Sequence, residues 1–206
     1  MIGRREFIKA GVVAGVGIMA GCVQSRRLLQ LERGEEDEGG SLGKFVEPLI
    51  IPVALRPSSG ERLEIAMTEA RQVLHRDLGE STVWAYGGGY PGPTIEVQRN
   101  QPLRVRWINR LPARHRLCVD HCLHGPHAYP DKQEHPRPRT VVHLHGGHVP
   151  PESDGYPEAT LLPGESAIYE YPNTQNGATL WYHDHALGVT RLNVYMGLAG
   201  FYLIRD

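Results

Sequence analysis

Two short strings carry most of the chemistry this chain can do: Val142-His143-Leu144-His145-Gly146-Gly147-His148 and Leu180-Trp181-Tyr182-His183-Asp184-His185. In each, one residue separates two imidazoles. Side chains alternate between the faces of a strand, so His143 and His145 share a face and His183 and His185 share one. Each pair is a two-pronged nitrogen fork. Where two such forks meet at one rim of a sheet, four neutral imidazoles converge on a metal, and imidazole suits copper, zinc, iron and nickel. Gly146, directly after the first fork, leaves room for backbone or metal to approach because no Cβ intervenes. One such pair in a chain with 11 histidines is unremarkable, whereas two, both ending apolar strands, are hard to reach by accident. Spacing removes two other metal folds with an HxH core. A cupin needs a glutamate soon after its fork, but the first carboxylate downstream is Glu152, seven residues past His145. A metallo-β-lactamase-type hydrolase needs HxHxDH, and Gly147 stands where the aspartate would be.

The elements that must position these forks read as strands. Arg62 to Met67 alternates Leu63, Ile65 and Met67 against Arg62, Glu64 and Ala66, the period of a half-buried strand. Thr82 to Tyr86, Thr94 to Val97, Leu103 to Ile108, Thr140 to His145, Ala167 to Tyr171, Ala178 to His183 and Ala199 to Ile204 are rich in β-branched and aromatic residues. Gly87-Gly88-Gly89, Pro91-Gly92-Pro93, Asn100-Gln101-Pro102, Pro163-Gly164 and Pro172-Asn173 supply turns between them, and no long amphipathic helix is visible. The pattern predicts an all-β sandwich or barrel in one domain over residues 61–206. Leu111 to Arg139, dense in His and Pro, reads as a long surface loop. With 22 Lys plus Arg against 23 Asp plus Glu and no basic stripe, nucleic acid is not expected as a partner.

The first 60 residues read as an address and a tether. Arg4-Arg5 precede Phe7-Ile8-Lys9 and an uncharged run from Ala10 to Gly21, too short to cross a bilayer, which takes roughly 20 apolar residues. The arrangement resembles a twin-arginine export signal over residues 1–22, which predicts a periplasmic or cell-surface location. Met19-Ala20-Gly21-Cys22 resembles a lipoprotein cleavage box, with Cys22 as the candidate for lipidation and membrane anchoring; the alternative is ordinary cleavage near Ala20. Residues 23–60, including Glu35-Glu36-Asp37-Glu38, read as a flexible acidic linker and lead-in.

HLHGGHVPPESDGYPEA from His143 and GATLWYHDHALGVTRLNVYMGLAGFYLIRD to Asp206 closely resemble the first cupredoxin domain of multicopper oxidases. Within that family the resemblance is to the branch of bacterial spore-coat laccases, bilirubin oxidases and phenoxazinone synthases. YPGPTIEVQRNQPLRVRWINRLP, Tyr90 to Pro112, resembles the opening of the same domain, and VDHCLHG, Val119 to Gly125, its loop before the histidines. The resemblance spans about Val46 to Asp206. It implies a cupredoxin-like Greek-key sandwich or barrel and copper as cofactor. It further implies His143 as ligand to a type 2 copper, and His145, His183 and His185 as ligands to the type 3 pair. One-electron oxidations of a reducing substrate coupled to reduction of dioxygen to water are the activity it implies. Asp120 and Asp184 are candidates for passing protons or orienting an imidazole, although alternation turns Asp184 away from its histidine neighbours.

The family's HPxHxH and HCHxxxH strings, which belong to a later domain and hold the type 1 copper and the other half of the cluster, do not occur in this sequence. His121-Cys122-Leu123-His124 imitates them but lacks an imidazole directly after the cysteine. Cys118 and Cys122 read as a loop pair, reduced or joined. His75, His115, His124, His127, His135 and His148 read as solvated or supporting groups. The chain alone is therefore expected to be inactive, with three readings open. It is a part of an exported oxidase, completed by further cupredoxin domains or a complementing chain and acting on dioxygen and a phenolic, pigment or metal-ion reductant. Otherwise it is a stand-alone copper-binding module, or a remnant without a metal role.

Overall fold

Alternating burial builds both sheets. Along strand β2 (Arg62–Val73) Ile65 and Met67 are buried while Arg62 and Glu64 face solvent, and along β5 (Leu103–Asn109) Leu103, Val105, Trp107 and Asn109 are buried on the opposite phase to Arg104. The structure is a computed structural model that describes residues 42–121, 123 and 133–206. The leader residues Arg4, Arg5 and Cys22, together with Cys122, His124 and His127, lie outside the described residues. The strands belong to the unit Glu47–Asp206; residues 42–46 of the preceding unit carry neither strand nor helix.

The remaining strands are β1 (Ala54–Leu55), β3 (Glu80–Tyr86), β4 (Gly92–Gln98), β6 (Val142–His145), β7 (Ser166–Tyr171), β8 (Ala178–Asp184) and β9 (Ala199–Arg205), with a short helix α1 (Thr190–Met196) before β9. Among the described residues they form two sheets, ordered β3-β2-β5-β7 and β1-β4-β9-β8-β6. The chain changes sheet at every step except β2 to β3 and β8 to β9, the connectivity of a Greek-key sandwich. Between the sheets, Tyr86 meets Trp107 and Tyr182 edge to face with ring centroids 5.4 and 5.0 Å apart. Such pairs contribute about 0.5–1.5 kcal/mol each beyond the area they bury. The Tyr182 hydroxyl donates to the Pro93 carbonyl at 2.7 Å, and its ring lies where a Cβ at Gly200 would fall, 2.4 Å from the Tyr182 ring and hydroxyl. Glycine at 200 therefore sets how deeply β8 seats its core-facing tyrosine.

All eight strands expected from the sequence are present, and the structure differs from expectation at three places. The sheet starts earlier than residue 61, because Ala54–Leu55 pairs in parallel with Thr94–Ile95, so the tail end of the expected lead-in is a strand. Helix α1 is seven residues long, too short for a helical period to show against the apolar background. The loop after β5 is not wholly on the surface: Leu111, His115 and Val119 are buried. Asn109, at the end of β5, fixes the loop's origin through bonds from its amide to the Pro138 and Leu161 carbonyls and from the Leu111 N–H to its own oxygen. His115 fixes its middle, with Nε2 3.0 Å from Asn193 Oδ1 on α1 and its ring edge-on to Trp84 at 4.6 Å.

Burial pushes the pKa of His115 below the ordinary histidine value, outweighing its bonds to Asn193 and the Leu117 carbonyl. A folded pKa lower than the unfolded one means that the unfolded chain takes up the proton first. The stability supplied by neutral His115 is thus complete above the unfolded pKa of about 6.5 and is lost as the pH falls below it. In urea denaturation at pH 7.5 and 5.5, the His115→Gln variant is expected to lose less stability between the two pH values than the wild type, whatever its starting stability.

Candidate metal centre

Strands β6 and β8 are antiparallel neighbours, with β6 at the edge of its sheet. Their register sets Val142 opposite Asp184, His143 opposite His183, Leu144 opposite Tyr182 and His145 opposite Trp181. Leu144 and Tyr182 fill the core, so the histidines between them project from the other face of the sheet. The four imidazoles thus meet by lateral pairing of adjacent strands, not at a common rim as the sequence suggested. Ring centroids lie 5.6 Å apart for His143 with His145, 5.6 Å for His143 with His183, 5.1 Å for His143 with His185, 5.4 Å for His145 with His183 and 5.7 Å for His183 with His185. Trp181 stacks on His183 with ring centroids 4.0 Å apart, and His145 is exposed.

Two backbone carbonyls orient the rings. His143 Nδ1 lies 2.5 Å from the Asp154 carbonyl and His183 Nδ1 lies 2.7 Å from the Asp184 carbonyl, so each Nδ1–H donates and, in the neutral ring, Nε2 keeps its lone pair. His183 is neutral at pH 7, because burial first, and then the charges of His143, His185 and His145, lower its pKa to about 4 against the opposing pull of the Asp184 carbonyl. Its Nε2 lies 3.1 Å from His145 Nδ1. Two nitrogens that far apart can share a hydrogen, or can bind one cation: with metal–imidazole bonds of about 2.0–2.1 Å they subtend an angle of roughly 100°. His185 Nδ1 is buried with no hydrogen-bond partner among the described residues, an uncompensated cost that coordination would remove. The donor set is entirely nitrogen, with ring orientations fixed by carbonyls, and it fits copper.

Asp184 does not orient an imidazole with its carboxylate. The carboxylate is fully buried on the core side of β8, where it accepts from the Val141 and Ala186 N–H groups and from Asn193 Nδ2. Alternation turns it away from the histidines, and only its backbone oxygen reaches His183. Burial raises its pKa to about 7 despite those three donors. Asp120 is exposed on the loop. His148 is exposed on the turn after β6 and meets Gln175 through its backbone N–H. Asp154 was not anticipated: besides the carbonyl bond, its Oδ1 lies 3.4 Å from His143 Nδ1. Ser153-Asp154-Gly155 reads as a turn, and nothing in it announces a contact eleven residues back. The contact exists because Gly155, at φ +79°, lets the turn press onto β6; a Cβ there would lie 2.2 Å from the Val142 carbonyl oxygen.

A paired-sheet β-sandwich bearing four converging imidazoles is the architecture of a copper-binding cupredoxin-like domain. Residues 68–131 and 133–206 match the family described as multicopper oxidase, and the chain belongs to that family. It is 49% identical over 179 residues to a laccase of Bacillus subtilis and 40% identical over 221 residues to a laccase of Haloferax volcanii, covering 81% and 98% of this chain. The chain spans about a third of the length of these relatives, 34% and 36%. Among solved structures it resembles a multi-copper oxidase from Pediococcus acidilactici, with TM-score 0.63 and 22% identity over 81% of this chain and 31% of that one. It also resembles a multicopper oxidase from Campylobacter jejuni described as a metallo-oxidase, with TM-score 0.57 and 26% identity over 75% and 28%. The cupredoxin-like fold expected from the sequence is thereby established.

Gly155→Ala tests the link between turn and ligand. Combining a left-handed backbone cost with a clash against main chain, it is expected to destabilise the protein by about 2–4 kcal/mol, read by urea denaturation. A loss under 0.5 kcal/mol would show that the turn does not need this approach.

Proposed function

We propose that this chain supplies half of the trinuclear copper site of a laccase-like multicopper oxidase, with His143 toward the type 2 copper and His145, His183 and His185 toward the type 3 pair. The observation that carries the reading is the approach of His145 Nδ1 to His183 Nε2 at 3.1 Å beside the buried, unpartnered His185 Nδ1. Copper bound there supplies one-electron steps and the reduction of dioxygen to water. The chain's own part is to present lone pairs without rearrangement. Hydrogen bonds to the Asp154 and Asp184 carbonyls fix two rings, the low pKa of His183 removes competition from a proton, and Trp181 stacks on the His183 ring. Further cupredoxin domains, or a complementing chain, supply the remaining ligands and the entry point for electrons from a phenolic, pigment or metal-ion reductant. Arg4, Arg5 and Cys22 direct export and, where Cys22 is lipidated, anchoring at the cell surface.

His143→Ala and His183→Ala are each expected to weaken copper binding by the 206-residue chain, followed by calorimetric titration, roughly a hundredfold. Adding a chain with the remaining cupredoxin domains is expected to produce oxygen uptake with a phenolic reductant, abolished by the same substitutions. Unchanged copper binding in both variants would overturn the reading. Copper binding through these histidines with no oxidase activity under any complementation would instead define a stand-alone copper-binding module.

A further inference from the structure

A second group of metal-ligating side chains lies in the loop between β5 and β6. Cys118 Sγ is 3.2 Å from Glu134 Oε1 and 3.7 Å from His135 Nε2, and the three ligand atoms all fall within 4.8 Å of one another. None of these residues is among the four histidines of the copper site. Cys118 and Glu134 are 16 positions apart in the chain, so their approach depends on how the two arms of the loop are held together.

The arms are held by backbone pairing. The His115 N–H donates to the Pro136 carbonyl at 2.7 Å, and the Val119 N–H donates to the Glu134 carbonyl at 3.0 Å. Both arms rest on the domain: His115 and Val119 are buried on one, Pro136 on the other. The ligand-bearing stretches are therefore fixed to the core through their neighbours, while Cys118 and Glu134 are exposed and His135 is partly so. His135 Nδ1 lies 2.8 Å from the His115 carbonyl, to which it donates. That bond fixes the tautomer and leaves the Nε2 lone pair of the neutral ring on the side of the thiol, the arrangement by which metal-binding histidines are ordinarily oriented.

The two distances from the thiol sulfur match a tetrahedral centre. With bonds of about 2.3 Å to sulfur and 2.0–2.1 Å to nitrogen or oxygen, tetrahedral angles place those ligand atoms roughly 3.5 Å apart. The observed 3.2 and 3.7 Å bracket that value. A thiolate, a carboxylate and one imidazole form a mixed set that suits a borderline cation such as zinc rather than a hard calcium or magnesium ion. We propose that Cys118, Glu134 and His135 form a second metal site, which takes one zinc-like divalent cation and clamps the two arms of the loop. Binding replaces the thiol proton, which passes to solvent.

Cobalt(II) is the probe, because a thiolate ligand gives a charge-transfer band in the near ultraviolet that an all-imidazole site cannot give. One equivalent added to the reduced, chelator-treated 206-residue chain is expected to produce the band, and zinc is expected to abolish it by displacement. Cys118→Ser should remove it, His135→Ala and Glu134→Ala should each weaken cobalt affinity at least tenfold, and His143→Ala should leave it unchanged. Circular dichroism of each variant separates loss of the site from loss of the fold. The proposal is overturned if the wild type gives no band, if the band survives Cys118→Ser, or if both His135→Ala and Glu134→Ala bind as tightly as the wild type while folded.

Discussion

The register between β6 and β8 is the constraint on which the four-histidine cluster depends. A slip of β6 by one residue against β8 would turn His143 and His145 toward the sandwich interior, away from His183 and His185, and expose Leu144. The apolar partners therefore specify the positions of the ligands. Tyr182 is locked by its bond to Pro93 and by the space that Gly200 leaves, and Leu144 sits in the same core opposite it. Because β6 is an edge strand, paired on one side only, this register has no second neighbour to enforce it. Its fidelity rests on the core-facing side chains and on what ties β6 down at its start.

That tie is Asp184. Its carboxylate accepts from the amide of Val141, just before β6, from the amide of Ala186, just after β8, and from Asn193 on α1. A carboxylate buried this fully is costly, as its pKa of about 7 records, and it is retained because it satisfies three donors at the point where strand, turn and helix meet. Asn193 extends the bracket further, donating to the Arg139 carbonyl while its oxygen meets His115. One buried polar network thus joins the histidine strand to the loop that carries the second cluster.

Much of this was legible in the sequence because it depends on local alternation. The eight strands and the sharing of faces by His143 with His145 and His183 with His185 follow from a period of two, and so does the inward turn of Asp184. What was not legible depends on pairing between distant segments. That β6 and β8 are direct neighbours, so that His143 lies opposite His183, cannot be read from either string alone. Asp154 reaches His143 only because Gly155 allows main chain to press on main chain, and Ala54–Leu55 is too short a strand to show a period. The loop after β5 looked like surface because Pro and His dominate its composition, whereas the residues that anchor it, Leu111, His115 and Val119, are scattered through it.

The two faces of β8 divide the work of the domain. On the core side, Tyr182 and Asp184 meet fixed partners and set position; on the other, Trp181 and His183 meet one another and the neighbouring imidazoles and supply chemistry. Where the faces meet, the backbone serves both. The Asp184 carbonyl that orients His183 belongs to the residue whose side chain anchors β6, so one residue serves both the imidazole and the strand. The rings of His143 and His183 are thus oriented by backbone that belongs to the same contacts that hold the sandwich together.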